Sequence, residues 1–219
     1  MQKLEVSNSR IFNDLVEYTK LPPELVLKRC QYAATELAIV WTKKKSVTEF
    51  YESTDLYLFD LTMYQLMLEH HKLIQEMVQQ IKEIAPKAKV LEFGGGIGEF
   101  SLICSENNID CTYTDIGQTK EYAVWRFNKH KQRVKIIESD PLKEKWDFVN
   151  IMDVLEHLEN SEEIIEKLGK TARYIFCNPT EIKYNRSYPQ HISKYDLTKQ
   201  FIHVKRYLWK NKNEHPTKQ

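Results

Sequence analysis

Residues 90–100 read VLEFGGGIGEF: an apolar run ends at Phe93, three glycines follow in a row, and a fourth stands after Ile97. The chain has only six glycines in 219 residues, so four within five positions mark a place from which side chains are excluded. Glycines at the end of an apolar run read as a strand turning sharply into a helix. The residues that follow repeat that rhythm. Strands are expected at 89–94 (KVLEFG), 111–116 (CTYTDI), 134–139 (VKIIES), 146–153 (WDFVNIMD) and 173–178 (RYIFCN), with helices between most of them. Such alternation calls for an α/β fold, a mostly parallel sheet with helices on both faces.

Upstream of Pro86 the period is helical instead. PPELVLKRCQYAATELAIVW starts at Pro22 and Pro23, where a first-turn proline does no harm, and runs to Trp41. Ser46 with Glu49 offers a capping box for a second helix. A third is expected from about Leu61 to Ala85, with Met67, Ile74, Met77, Ile81 and Ile84 on one face and Pro86 as its stop. Residues 1–88 therefore read as a helical cap or lid segment, 89–209 as the core and 210–219 as a polar tail. Near the end, SKYDLTKQF is expected to start a helix capped by Ser193 with Asp196, and HVKRYLW reads as a sixth strand.

Composition narrows the function. Thirty-two Lys and Arg nearly balance 31 Asp and Glu, and the net charge of +1 lacks the basic excess of a nucleic-acid-coating protein, so a nucleic-acid partner is disfavoured. No apolar stretch approaches the length of a membrane span. MQKLEVSNSR is polar from the start, and Cys30, Cys104, Cys111 and Cys177 form no C-x-x-C pair, so reduced thiols in the cytoplasm are expected. His70 and His71 are adjacent on a helix and point to different faces, so they share no metal, and no metal ligand set is read from the spacing.

The glycines lie at the end of the first strand, where an open α/β sheet binds ligands. A dinucleotide fingerprint, G-x-G-x-x-G, would need a glycine where Glu99 stands, and a carboxylate there would repel a diphosphate. The spacing is G-x-G-x-G preceded by Glu92, which suits a ligand with no phosphate and a cationic end. S-Adenosylmethionine is such a ligand.

Glu92 to Gly98 resembles motif I of the class I S-adenosylmethionine-dependent methyltransferases, E/D-x-G-x-G-x-G. Three further acids stand in the family's order at successive strand ends: Asp115, Asp140 and Asp153, the last within NIMDVLEHL, which is similar to the D-V-L-E-H-V block of quinone-biosynthesis and related small-molecule enzymes. The resemblance covers about residues 86–200 and implies a Rossmann-like core. It also implies that Glu92, Phe93, Gly94, Gly95, Gly96 and Gly98 border the cofactor. Asp115 with Ile116 would take the ribose hydroxyls, Asp140 with Pro141 the adenine, and Asp153 with Val154 the methionine end. His157 would lie near the transferred methyl, and the segment SYPQHISKYDL resembles the part that closes over the substrate. The family core normally ends in an antiparallel strand pair, and so little chain follows HVKRYLW that its seventh strand is expected to be absent or supplied by a partner, leaving room for a homodimer.

Methyl transfer from a sulfonium is an in-line displacement that mainly requires holding the nucleophile and excluding water. If the acceptor must lose a proton, His191 or His157 is expected to be the base, with Glu156 orienting either. Tyr51, Tyr57, Phe59 and Tyr64 are candidates to roof the cofactor or simply to pack between helices. CNPT, with Asn178 and Pro179, resembles the N-P-P-Y of amino-methylating enzymes but follows the fifth strand and lacks the aromatic, so it is read as a turn. The expected activity is methylation of a small-molecule acceptor. The alternatives are an RNA or protein methyltransferase that uses Lys43–Lys45 for grip, and a non-catalytic cofactor-binding subunit.

Overall fold

Five helices precede the first strand in the computed structural model, which describes residues 9–42, 46–179 and 189–213. Helix α1 (Arg10–Thr19), unannounced by proline or capping box, buries Ile11, Phe12 and Leu15 on one face, together with Asp14. Helix α2 (Pro23–Trp41) starts at the second proline and buries Val26, Cys30, Ala33 and Leu37 at helical spacing. Ser46 caps α3 (Val47–Ser53), its hydroxyl accepting from the Glu49 amide at 3.1 Å. Helix α4 (Leu56–Gln65) buries four consecutive side chains, Leu56 to Phe59, because it is enclosed on most sides. Helix α5 (Leu68–Ile84) ends two residues before Pro86.

The single helix expected over 61–85 is thus two, parted at Leu66 and the extended Met67. The physical reason is that the two halves serve different cores. Leu58 and Phe59 of α4 pack with α1 and α2 in one cluster. Leu73, Ile74, Met77, Val78 and Ile81 of α5 instead pack on the sheet with Val90, Phe100 and Phe148. Helices α1 to α4 therefore form the cap, while α5 is part of the sheet's own packing. The expected division after residue 88 runs through that shared core.

The sheet comprises β1 (Lys89–Phe93), β2 (Asp110–Thr114), β3 (Lys135–Ile136), β4 (Trp146–Asn150), β5 (Ala172–Phe176), β6 (Phe201–Lys205) and β7 (Leu208–Asn211). Between them lie α6 (Glu99–Glu106), α7 (Gly117–Lys129) and α8 (Ser161–Thr171). The strand order is 3-2-1-4-5-7-6, parallel from β3 to β5, with β7 antiparallel to both of its neighbours. Alternating residues face opposite layers: Val90 and Phe148 meet α5 and α6, whereas Leu91 and Val149 meet Ile164, Ile165 and Leu168 of α8. The strand at 134–139 is reduced to Lys135 and Ile136. The strand at 146–153 stops at Asn150, which frees the next residues to turn across the strand ends.

The C-terminal expectations need correction. HVKRYLW is two strands joined at Arg206, whose φ is +48°, and His203 pairs with Trp209 across the hairpin. The chain supplies its own seventh strand, so Lys210 and Asn211 belong to the sheet rather than to a tail, and the reason for expecting a partner's strand disappears. SKYDLTKQF forms only a 3-10 turn over Leu197–Lys199, capped by Asp196. Ser193 is not its cap; its hydroxyl donates to the Leu158 carbonyl. All four cysteines are buried free thiols. Among the described residues no helix is long and apolar enough to cross a membrane.

Candidate functional site

The turn after β1 is tied to the next strand. The Gly94 and Gly95 amides both donate to the Thr114 carbonyl, at 2.9 and 3.2 Å. Tyr113 donates its hydroxyl to the Gly96 carbonyl at 2.7 Å, and the Gly96 amide donates to a carboxylate oxygen of Asp115. The other Asp115 oxygen accepts from Ile116 at 2.7 Å. Burial pushes the Asp115 carboxyl up to about 6, against the pull of these two amides. Asp115 thus both shapes the glycine turn and retains lone pairs for further donors.

Much of what excludes side chains from the turn is the chain itself. A Cβ on Gly94 would lie 2.8 Å from Val154, on Gly96 2.6 Å from Leu61 of the cap, and on Gly98 2.6 Å from Phe127 of α7. Beneath Gly95 lie Tyr113 and the carboxyl of Glu92. Glu92 is buried and accepts from both the amide and the hydroxyl of Ser101. Burial, with no cationic partner among the described residues, pushes it up to about 8. Its geometry is that of a support for the turn, with the carboxyl directed inward.

Glu99 carries no free charge toward a ligand. It is 2% exposed and receives Arg126 at 2.6 Å and Arg10 at 2.8 Å. Two guanidiniums neutralise the Glu99 carboxylate, so it would not repel a diphosphate as its place in the sequence suggests.

At the end of β4, Asp153 adopts φ +54°. Its carboxylate accepts from the Tyr64 hydroxyl of the cap at 3.0 Å and from the Asn178 side-chain amide at the end of β5. Asn178, read from the sequence only as part of a turn, thus belongs to the site; its place directly after the fifth strand was the available signal. Asp140 lies on the exposed connection after β3, where it caps the 3-10 turn Pro141–Lys143 by accepting from Leu142 at 3.0 Å. Pro141 is buried.

Glu156, His157 and His191 are brought together. A 3-10 turn over Leu155–His157 carries the first two. The rings of His157 and His191 meet edge to face at 4.6 Å, and Tyr51 of the cap packs on His157 at 5.8 Å. Tyr51 also stacks on Tyr57, with their hydroxyls 3.2 Å apart. Burial pushes His157 down to about 3, with His191 adding to the shift, and pushes Glu156 up to about 7. Burial also lowers His191, which is partly buried, against the opposing charge of Asp153. Both imidazoles are therefore neutral, lone-pair-bearing groups near neutral pH.

The cap roofs this array: Leu61 lies on Gly96, the Tyr51 carbonyl on Gly117 at the start of α7, and Tyr64 on Asp153. Phe59 instead faces α1 and α2 with Arg29 over its ring, a packing role. Lys43–Lys45 lie outside the described residues. The surface hollow of about 400 Å³ beside Phe201, His203 and Trp209 includes neither the glycine turn, nor Asp115, Asp140 or Asp153, nor Glu156, His157 or His191.

A family model described as "Methyltransferase domain" matches residues 67–208. Its first residue coincides with the break between α4 and α5. The chain is similar to magnesium protoporphyrin IX methyltransferase (ChlM) from Synechocystis PCC 6803 with bound SAH, at 17% identity and TM-score 0.47, covering 69% of this chain and 71% of that one. It is also similar to TehB from Haemophilus influenzae, at 19% identity and TM-score 0.42, over 55% of this chain and 49% of that one. A third similar structure is the N-terminal domain of EvdMO1 with SAH bound, at 11% identity and TM-score 0.48, over 64% and 81% respectively. No curated protein matches the chain.

Proposed function

The chain belongs to the methyltransferase-domain family, and from that premise we propose that it moves a methyl group from S-adenosylmethionine to a small-molecule acceptor held near Glu156, His157 and His191. The observation that carries this reading is the convergence, at neighbouring strand ends under one cap, of the glycine turn, Asp115 and Asp153. When bound, S-adenosylmethionine supplies a methyl carbon on a positively charged sulfur, which an incoming nucleophile displaces in line.

The chain's own residues then have separate tasks. The backbone from Phe93 to Gly98 forms the cradle, and Glu92 holds it from below through Ser101. Asp115, with the Ile116 amide fixing its orientation, presents its remaining lone pairs to the ribose hydroxyls. Asp140 and Pro141 stand at the adenine side, and Asp153 with Val154 at the methionine side. Tyr51, Tyr57 and Tyr64 exclude water from the reacting pair, as a lid does. Glu156, His157 and His191 face the acceptor and promote loss of its proton. Small size of the acceptor fits a site roofed by packed side chains, and the near-balanced net charge lacks the basic excess of a polyanion-coating protein.

Asp115→Ala is expected to weaken S-adenosylmethionine by several fold to a hundredfold, because each charge-assisted bond contributes about 1.5–3 kcal/mol at most. The Gly96 amide loses its acceptor in the same variant. Calorimetry that finds parental affinity would move the ribose site elsewhere. The acceptor class is tested by incubating the protein with methyl-labelled S-adenosylmethionine and fractionated metabolite extracts, total RNA or total protein. Label appearing in a metabolite fraction supports the proposal, and label confined to RNA or protein rejects it. Binding of the donor without label transfer to any of them would make the chain a non-catalytic subunit.

A further inference from the structure

We propose that Glu156, His157 and His191 form a binding site for one divalent transition-metal ion of the zinc class. One carboxylate oxygen of Glu156 and one nitrogen of each ring all lie within 4.8 Å of one another. Ligands about 2.0–2.2 Å from a tetrahedral ion are roughly 3.3–3.6 Å apart, so side-chain rotations of about an ångström complete the set. Two imidazoles and one carboxylate suit zinc or cobalt and leave a coordination position open.

Three further observations make this more than a chance meeting of side chains. First, the two segments are stitched together: the Glu156 carbonyl accepts from the Ile192 and Ser193 amides at 2.9 and 3.0 Å, and the Ser193 hydroxyl donates to the Leu158 carbonyl. His191 is thereby held to the turn that carries the other two groups. Second, Nδ1 of His157 lies 3.3 Å from the Gln190 carbonyl. A carbonyl can only accept, so Nδ1 carries the proton and Nε2 the lone pair, the arrangement that orients metal-binding histidines. Third, Glu156 is 2% exposed, and although the Asn178 side-chain amide acts on its carboxyl, Oε2 is buried with no hydrogen-bond partner of its own among the described residues. In a purely structural cluster that oxygen would take a proton donor, since leaving a buried acceptor unsatisfied costs about 1–3 kcal/mol. A cation satisfies it.

The ion's place beside the acceptor rests on the methyl-transfer reading; its binding does not. In that reaction the acceptor releases its proton to water, the carbon–sulfur bond breaks with its electron pair staying on sulfur, and the bond from carbon to the acceptor atom forms. The ion offsets the negative charge that develops on the acceptor atom, and its own oxidation state is unchanged.

The test uses the full chain, stripped with chelator and dialysed, titrated with Zn2+ in a calorimeter and with Co2+ by visible absorption, with SAH titrated into the same preparations. The expected result is one Zn2+ per chain and a cobalt ligand-field band, both lost or weakened by about a hundredfold or more in His157→Ala and His191→Ala. Glu156→Gln should weaken the metal by about tenfold or more, and His203→Ala, in an exposed strand, should leave it unchanged. Circular dichroism checks folding, and His191→Gln replaces His191→Ala if the latter does not fold. Intact SAH binding with no Zn2+ binding would overturn the metal site while leaving the methyl-transfer reading in place. Metal binding that survives in all three ligand variants would overturn it too. Zn2+ binding without SAH binding would instead sustain the metal site and sink the donor reading.

Discussion

Arg126→Ala is expected to destabilise the fold by about 3–5 kcal/mol at neutral pH, the scale for removing one partner from a buried ion pair. Arg126 has no exposed surface and ties three elements together. Its guanidinium donates to Asp14 of α1 at 2.9 Å, to Glu99 of α6 at 2.6 Å and to the Ile97 carbonyl at 2.7 Å. Alanine would leave two buried carboxylates facing a void. Partial compensation remains, since Asp14 keeps His130 at 2.8 Å and Lys129 at 3.0 Å, and Glu99 keeps Arg10.

The pH dependence gives the loss a signature. Burial raises the Asp14 carboxyl, but the bond from His130 and the charge of Arg126 outweigh it and hold it below its ordinary 3.8. Burial likewise raises Glu99, and Arg126 and Arg10 reverse the shift to below 4.5. Depressed carboxylates contribute stability that is full above their unfolded values and is lost as pH falls through the folded ones. In the parent that loss therefore begins below about pH 4.5. In the variant the carboxylates are buried with less compensation, so they take up protons more readily, and the difference from the parent should shrink toward acid. Urea unfolding at neutral pH and near pH 4 measures both terms. A neutral-pH difference under about 1 kcal/mol would mean the network does not hold α1 to the core.

The second large effect is on the donor. Gly94→Val is expected to reduce S-adenosylmethionine affinity by at least about a hundredfold, roughly 2.7 kcal/mol. Gly94 sits at φ +66°, where a residue with a Cβ costs about 1–2 kcal/mol and a β-branched one more. Its added Cβ would also meet the two methyl carbons of Val154 at 2.8 and 3.0 Å. Either the turn shifts or Val154 does, and both belong to the proposed donor site. The two causes are separable. Gly94→Ala combined with Val154→Ala should recover the crowding part, about tenfold, relative to Gly94→Ala alone, while the backbone part persists. Thermal melting of each variant distinguishes a lost site from a lost fold. Parental affinity in Gly94→Val would remove the glycine turn from the donor site altogether.

The sequence by itself determined the strand–helix alternation from residue 89 to the fifth strand and the strand-end acids. Glycines crowded after VLEF, acids at 115, 140 and 153, and a helical period before Pro86 are local signals, carried by periodicity and by residues with restricted conformations. What failed was equally local in appearance but not in cause. The break at Met67 exists because α4 and α5 bury their faces in different cores. The hairpin at Arg206 carries no glycine or Asn-Gly signal, and the pairing of β7 with β5 imposes it. Helix α1 is fixed by Asp14 meeting Arg126 across 112 positions of sequence. The inward direction of Glu92, the neutralised charge of Glu99, the link from Asn178 to Asp153 and the meeting of His191 with Glu156 and His157 were decided by tertiary structure alone. Hydrogen bonds and ion pairs act over about three ångströms, and only the folded chain brings residues 156 and 191 that near.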